Sequence, residues 1–502
     1  MKRQIWSSRL TYILTVAGAT IGFGATWRFP YLVGEYGGGA YVAVFVLAML
    51  FVGIPIILVE NVIGRRAHTN CVDAFGGVLE SKKPVARFWR VLGYMSALGA
   101  FGILAYYMVI GGWVLSYIVH IAQGILQALG LASGGFDVSV PLQKSQTIAF
   151  YEKHIQNAPW QISFFTFVFV AINWLILRKG VIDGIERSVK YLMPLLLLCL
   201  VLMVVRNLTL DGAMEGIRFY LVPDFSALSA ELFLYVIGQV FFALSLGFGV
   251  MITLSSHLDN QEDLVKTSLF TGVINTLIAV LAGFMIFPSL FSANLAPDSG
   301  PSLVFKVLPV AFSYMHFGSI FAIMFFVLLL VAALTTSITI YQVIISILEE
   351  NFHIPHNKAI NYTLLGVFVL GNIPCALSSS AFVDVVFWGR SVFDTFDFLS
   401  GNVFFVLTAL GASVFVGFVL REEALQELAN GTKVPRWLLK GWLYYVRYGI
   451  PIIIVAIFIG GILDITPKKR AQEACGELSM QALNPLIIRD NKKDTNGNTI
   501  SG

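Results

Sequence analysis

Charged residues are scarce in this chain of 502 residues. Asp, Glu, Lys and Arg make up 12% of it, about half the share in an ordinary soluble domain, whereas 57% of the residues are hydrophobic. The formal net charge is only +4, and the basic residues sit in short loops, not on a face that could hold nucleic acid. This composition excludes a soluble domain and predicts an all-α polytopic membrane protein.

Paired cysteines and clustered metal ligands are also missing. The four cysteines show no C-x-x-C spacing and the seven histidines are scattered, so neither a disulfide framework nor a zinc site is expected. No nucleophile and base stand together in the pattern of an enzyme. The first apolar segment is too long for a signal-peptide core and is expected to stay in the mature protein.

Long apolar runs are what the chain has in abundance. Windows of about 20 apolar residues predict eleven membrane spans, which we number one to eleven. They lie at 10–36, 40–64, 90–123, 160–178, 188–206, 230–256, 265–290, 317–349, 360–378, 394–420 and 441–464. Basic residues concentrate at 1–9, 65–90, 178–190 and 421–440. By the positive-inside rule these joins face the cytoplasm, which predicts an inner-membrane protein with a cytoplasmic N-terminus.

Helix-breaking residues interrupt two of the spans. The triplet Gly22-Phe23-Gly24 in span one recurs as Gly247-Phe248-Gly249 in span six. Unwound backbone is tolerated within a membrane only where protein, water, ion or ligand supplies hydrogen-bond partners. Paired breaks in corresponding spans therefore indicate a binding site at the midplane, although packing glycines or simple kinks are the structural alternative.

Each half of the chain has five spans, which makes the second half an inverted repeat of the first. The predicted division is a cytoplasmic N-terminus (1–9), a first five-helix repeat (10–206), an external loop (207–229), a second repeat (230–420), a cytoplasmic loop with the eleventh helix (421–464) and a polar tail (465–502).

Few ionisable side chains lie inside the spans, and each is a functional candidate because burying a charge in the membrane is costly. Glu60 could accept N–H groups freed by a broken helix, or lie at headgroup level near Arg65. Arg28 and Asp397 could close an external gate, or each could sit at an interface.

Three further polar features lie in apolar spans. Thr335 and Thr336 place adjacent hydroxyls in span eight, where they could bond back to their own helix or provide oxygen ligands for a small cation. Asn275 in span seven is a similar candidate. Tyr107 in span three offers a phenol that could bond a substrate carboxylate, with simple packing as the alternative.

These residues resemble the neurotransmitter:sodium symporters, the family of the bacterial leucine transporter, from about Trp6 to Pro451. The motifs that carry the resemblance are Arg28-Phe29-Pro30, Glu35-Tyr36-Gly37-Gly38-Gly39-Ala40, Val52-Gly53-Ile54-Pro55, Gly184-Ile185-Glu186-Arg187, Pro223-Asp224-Phe225, Gly238-Gln239-Val240-Phe241-Phe242, Ser245-Leu246-Gly247-Phe248-Gly249 and Val434-Pro435-Arg436. The resemblance implies a sodium-coupled symporter that imports a small amino acid or amino-acid-like solute by alternating access. A proton-coupled or uncoupled carrier of the same fold, or a membrane sensor without turnover, remains an alternative.

The resemblance also implies a set of site residues. Sodium would be held by the carbonyl oxygens of Gly18, Ile21 and Ala332 and the hydroxyls of Thr335 and Thr336. The implied substrate site consists of Ala19, Thr20, Gly22, Phe23, Gly24, Ile103, Tyr107, Phe242, Ser245, Phe248, Thr336 and Ile340. The implied external gate is Arg28 and Asp397 above Tyr107 and Phe248, and the implied internal gate is Arg3 and Glu350 with Trp6 and Ser256. Gly22 stands where monoamine carriers of this family have an aspartate, so a substrate with its own carboxylate is expected.

Departures from the family pattern concern the ions. A first sodium site would take side-chain oxygens at positions that here are Ala25, Ala243 and Asn275, of which only the last has one. Where relatives hold chloride or a glutamate, this chain has Phe45, Ala243 and Ala279, and Gln239 alone remains. We therefore predict one sodium ion and no chloride. The expected partners are the solute and the lipid bilayer, with no nucleic acid, in a monomer or weak dimer.

Overall fold

The computed structural model describes residues 4–76, 85–131, 135–295, 303–372, 395–396 and 398–463. Of the described residues 82% are helical, and they contain no strand, only a single antiparallel bridge between Gly38 and Pro223. Arg3, Asp397 and the polar tail of the sequence prediction lie outside the described residues. The predicted all-α class is confirmed.

Eight helices in the described part are long and apolar enough to cross a membrane, and a bent pair in span one makes a ninth. The eight are Gly39–Ala67 (span two), Arg87–Ala128 (three), Pro159–Leu177 (four), Val181–Leu208 (five), Leu264–Ser292 (seven), Gly318–Glu350 (eight), Leu399–Leu420 (ten) and Arg436–Ala456 (eleven). Span nine is the shorter helix His356–Gly371.

Spans one and six are each broken where the glycine triplets predict. Span one consists of Arg9–Thr20 and Gly24–Glu35, whose axes differ by 65°. Span six consists of Ala230–Ala243 and Val250–Ser255. Between its two parts, Gly247 and Gly249 have φ values of +82° and +75°. Residues other than glycine adopt this left-handed backbone conformation only with strain. The glycines therefore unwind the helix, as the sequence indicated.

Spans five, nine and eleven begin earlier than the apolar windows predict, at Val181, His356 and Arg436 and not near 188, 360 and 441. Their first turns carry charged or polar residues, which a hydropathy window leaves out. The hydrogen bonds of a helix do not require apolar side chains. Long basic side chains can extend to the interface while the backbone stays helical.

Side-chain caps define where several helices begin. Ser8 accepts from the N–H of Thr11 at the start of span one, and Ser229 accepts from the N–H of Leu232 at the start of span six. Asp263 accepts from Lys266 N–H at the start of span seven. Each cap satisfies an amide that has no partner within its helix, which stabilises that end by about 1 kcal/mol.

Spans three and eight form the centre of the bundle. In their most apolar windows 78% and 67% of the residues are buried, against 33% in span four and 22% in span eleven. Spans four and eleven therefore form part of the lipid-facing surface. Shorter helices join the spans at Lys144–Tyr151, Ala213–Leu221, Leu303–Ser313 and Glu422–Ala429.

Candidate functional site

The two helix breaks lie side by side and are tied together by side chains. Ser245, in the break of span six, donates its hydroxyl to the carbonyl oxygen of Ala19 at 3.2 Å. Gln239, just before that break, donates its amide to the carbonyl oxygen of Gly24 at 2.7 Å. Backbone groups that unwinding removes from helical bonding are thus bonded across the breaks, as discontinuous helices within a membrane require.

Glu60 of span two stabilises the break in span six. Its Oε1 accepts the backbone N–H of Gly247 at 2.7 Å, and the residue is 1% exposed. The sequence left two alternatives for Glu60: bonding to a broken helix, or a position at headgroup level near Arg65. The second is therefore wrong. Arg65 is itself buried and pairs with the carboxylate of Glu427, in the short helix between spans ten and eleven.

Tyr107 of span three faces the break in span one. Its ring centroid is 4.7 Å from that of Phe23, and a Cβ added at Gly22 would lie 2.5 Å from Tyr107 Oη and 2.7 Å from Thr336 Oγ1. A larger residue at position 22 would therefore have to displace the Tyr107 or Thr336 side chain. Tyr107 Oη is buried at this break, and its polar neighbours are the hydroxyl of Thr336 and the backbone N–H of Phe23.

Oxygen atoms of spans one and eight converge next to this break. The hydroxyl of Thr336 donates to the carbonyl oxygen of Gly18 at 3.0 Å, and that of Thr335 donates to Ala332 O at 3.1 Å within its own helix. A Cβ added at Gly18 would lie 3.1 Å from Thr335 Cβ, so the two helices are in close contact. Ile21 ends the first half of span one. Hydroxyl and carbonyl oxygens at a helix break fit a small hard cation such as sodium.

Two of the three positions expected to form a first sodium site carry apolar side chains. Ala25 and Ala243 are fully buried, and Asn275 donates its amide to the carbonyl oxygen of Ala243 at 3.2 Å. Thr20, next to this position in span one, donates its hydroxyl to Val16 O and Ala17 O of its own helix, both at 3.0 Å.

The expected chloride position is similarly apolar. Phe45 packs against Phe29 with ring centroids 4.6 Å apart, and Ala279 is buried. Side chains of this kind offer an anion no hydrogen-bond donor.

Three further residues of the expected substrate site are apolar. Ile103, Phe248 and Ile340 are at most 3% exposed. The guanidinium of Arg28 lies 4.6 Å from the ring centroid of Phe242, a cation–π contact at the expected external gate. Its expected partner, Asp397, lies outside the described residues.

At the opposite end, the N-terminal segment is fastened to the end of span six. Trp6 donates its backbone N–H to His257 O at 3.2 Å and its indole Nε1–H to Leu254 O at 2.9 Å. The hydroxyl of Ser256 donates to Thr253 O, within its own helix. His257 also contacts Gln4 O through Nδ1, at 2.7 Å. The sequence argument nominated Trp6 and Ser256 here but missed His257.

Glu350 of the expected internal gate is bonded to the end of span two. It accepts from Thr69 Oγ1 at 2.9 Å and from the backbone N–H of Asn70 at 2.8 Å. The polar run His68-Thr69-Asn70 directly after an apolar span was the signal that could have pointed to these residues. Arg3, the expected partner of Glu350, lies outside the described residues.

Comparison with known proteins gives consistent matches over nearly the whole chain. The model of the sodium:neurotransmitter symporter family matches residues 3–128 and 137–475. An uncharacterized sodium-dependent transporter of Haemophilus influenzae is 57% identical over 462 residues, which cover 92% of this chain and 98% of that relative. YhdH, an uncharacterized sodium-dependent transporter of Bacillus subtilis, is 37% identical, with 91% and 98% covered. The crystal structure of MhsT in complex with L-phenylalanine is similar with a TM-score of 0.80 at 35% identity, and 91% of this chain and 99% of MhsT are covered.

Proposed function

Because the chain belongs to the sodium:neurotransmitter symporter family, we propose that it imports a small amino acid or amino-acid-like solute with sodium by alternating access. Membership makes the protein a multi-pass membrane transporter that uses sodium, not an enzyme. The observation that carries the finer proposal is the pairing of the two helix breaks through Ser245 and Ala19, beside the hydroxyl of Tyr107.

The substrate carries a carboxylate. Half-helices that begin at a break present backbone N–H groups and a positive dipole end, which favour an anionic group. Tyr107 Oη adjoins Gly22 and can donate a further hydrogen bond to that group. Gly22 provides no side-chain charge for an amine that lacks its own carboxylate. The L-phenylalanine in the similar structure of MhsT supports the amino-acid class.

One sodium ion accompanies the substrate. The oxygens of Gly18, Ile21, Ala332, Thr335 and Thr336 would hold it and join the first half of span one to span eight. Ala25 and Ala243 provide no side-chain oxygen for a second ion. A buried cation without enough oxygen ligands costs several kcal/mol, so loss of these ligands favours a single ion.

Transport does not require chloride. A second buried sodium is the charge that an anion would balance, and Phe45 and Ala279 leave no donors for that anion. The ligands of the second cation and those of the anion are missing together. This is expected, because a site that binds no second sodium needs no anion to balance its charge.

The hydrogen bonds at the internal end of the bundle support a closed internal pathway. Trp6 covers the end of span six, while Glu350 joins span eight to span two. Release of the sodium ion would free the first half of span one from span eight and open this end. The basic joins support a cytoplasmic position for that end and an inner-membrane location for the protein.

Uptake into proteoliposomes tests the proposal. The purified protein is reconstituted and supplied with a panel of labelled amino acids and related amines, with an inward sodium gradient, a proton gradient or no gradient. Sodium-driven accumulation of an amino acid is expected. Accumulation driven by protons alone would favour the proton-coupled carrier, and sodium-dependent binding with no accumulation would favour a sensor.

A further inference from the structure

Phe248 is a residue of the expected substrate site and lies in the break of span six, between Gly247 and Gly249. We call the space between the two helix breaks the pocket. The ring of Phe248 is 6.4 Å from that of Phe242 in an edge-on arrangement. Phe242 in turn touches span one, since a Cβ added at Gly24 would lie 2.7 Å from Phe242 Cδ1. Phe248 therefore borders the space between the two breaks.

Phe248 is held from behind by Phe405 of span ten. The two rings are stacked with centroids 3.6 Å apart and planes inclined by 17°, and Phe405 is 2% exposed. A stacked ring covers the whole face of its neighbour. Phe248 consequently has no room to move away from the pocket when a larger ligand enters.

Two glycines allow Phe405 to approach so closely. A Cβ added at Gly99 in span three would lie 2.7 Å from Phe405 Cε1, and one added at Gly247 would lie 2.2 Å from the Phe405 carbonyl oxygen. The ring and the backbone of Phe405 are therefore both confined. Protein interiors are closely packed, so Phe405 cannot shift easily, and the Phe248 ring stacked on it cannot shift either.

Two isoleucines of the expected substrate site share helix faces with residues at the break in span one. Ile103 lies one turn before Tyr107 on span three, and Ile340 lies one turn after Thr336 on span eight. Both isoleucines are 1% exposed. Neither these isoleucines nor Phe248 carries a side-chain group that could form a hydrogen bond.

From this arrangement we infer that Phe405 of span ten limits the size of the substrate side chain without touching the substrate. Phe405 is a positioning residue: it acts by fixing Phe248. The inference rests on the proposed function, because it assumes that an amino acid binds between the breaks.

A size series of ligands tests this role of Phe405. Inhibition of sodium-driven uptake in proteoliposomes is measured for glycine, alanine, 2-aminobutyrate, leucine and phenylalanine. In Phe405→Ala the ratio of inhibition constants is expected to shift in favour of the larger ligands by about 10-fold, the usual scale for a side chain that differs by a methylene or more.

Two further variants separate size selection from general damage. Gly99→Ala pushes against the Phe405 ring and is expected to shift the optimum in the opposite direction, toward glycine. Phe404→Ala is the matched control, since Phe404 lies against Gly99 through its Cβ, 3.1 Å from the added atom, and is not stacked on Phe248. It should keep the parent order of ligands.

Two different outcomes would overturn the role of Phe405 and the proposed function, respectively. An unchanged ligand order in both Phe405→Ala and Gly99→Ala overturns the role of Phe405. If no amino acid competes in the parent protein, the proposed function itself fails.

Discussion

The hydroxyl of Thr336 donates a hydrogen bond across the bundle to the carbonyl oxygen of Gly18, 318 residues earlier in the chain, at 3.0 Å. The adjacent hydroxyl of Thr335 instead donates to Val331 O and Ala332 O of its own helix, both at 3.1 Å. Two neighbouring threonines thus have different roles. Thr336 joins a broken helix to an intact one, and Thr335 bonds back to its own helix.

Removing both hydroxyls should abolish sodium dependence. In Thr335→Ala with Thr336→Ala the proposed ion loses two of its five ligands, and the bond between spans one and eight is lost as well. We expect sodium-dependent substrate binding to disappear, measured as thermal stabilisation by substrate with and without sodium. Thr363→Ala in span nine removes a hydroxyl that bonds only to its own helix and is the control. Undiminished sodium dependence in the double variant would rule out the site.

Tyr107→Phe should weaken substrate binding. The variant keeps the ring packing with Phe23 and removes only the hydroxyl beside Gly22. A hydrogen bond to a charged group contributes about 1.5–3 kcal/mol, so we expect about 10- to 100-fold lower affinity in equilibrium binding. Tyr94→Phe, at an exposed position of the same span, is the control. Equal affinity of Tyr107→Phe and the parent would show that the phenol does not bind the carboxylate.

Transport should follow a one-ion stoichiometry. With Ala25 and Ala243 at the first sodium site, we expect a Hill coefficient near one for sodium and a reversal potential that corresponds to one coupled ion. Uptake should be the same when gluconate replaces chloride. A Hill coefficient near two with a two-ion reversal potential would contradict the one-ion proposal, and a chloride requirement would contradict the argument from charge balance.

Glu60→Leu should destabilise the protein more than Glu60→Gln. Glutamine can still accept the backbone N–H of Gly247, whereas leucine leaves that buried donor without an acceptor. An unsatisfied buried donor costs about 1–3 kcal/mol, which should lower the midpoint of thermal unfolding in detergent. If the two variants unfold at the same temperature, the bond to Gly247 does not stabilise the break.

Acidification should destabilise the loop between spans three and four through His154. Its ring stacks on Phe150 at 4.7 Å and lies 4.6 Å from His120. Burial, together with the charges of His120 and Lys153, lowers the pKa of His154 below its usual 6.5. The folded state therefore binds a proton less readily than the unfolded state, and stability falls as the pH drops from about 6.5 through the lowered pKa.

The variant His154→Phe keeps an aromatic ring against Phe150 and cannot be protonated. Its unfolding temperature should fall less between pH 7 and pH 5 than that of the parent protein. A parallel fall in both proteins would show that another group is responsible.

Local patterns in the sequence were enough to predict the class and the two helix breaks. Apolar runs long enough to cross a membrane determine the spans, because the bilayer requires them whatever the packing. Glycine triplets determine the breaks, because only glycine adopts left-handed backbone at little cost, as at Gly247 and Gly249. The family motifs added the predicted site residues, among which Gly22, Tyr107 and Thr336 lie against one another at the break in span one.

Tertiary structure alone decided the partners of the polar groups. Glu60 bonds to Gly247 and Arg65 to Glu427, although Glu60 and Arg65 lie within two turns of each other in the sequence. The stack of Phe405 on Phe248 gave no local signal at all. Each of these contacts joins residues more than 150 positions apart, and which helix faces meet depends on the packing of the whole bundle. Hydropathy and spacing describe one helix at a time, so they could not determine these contacts.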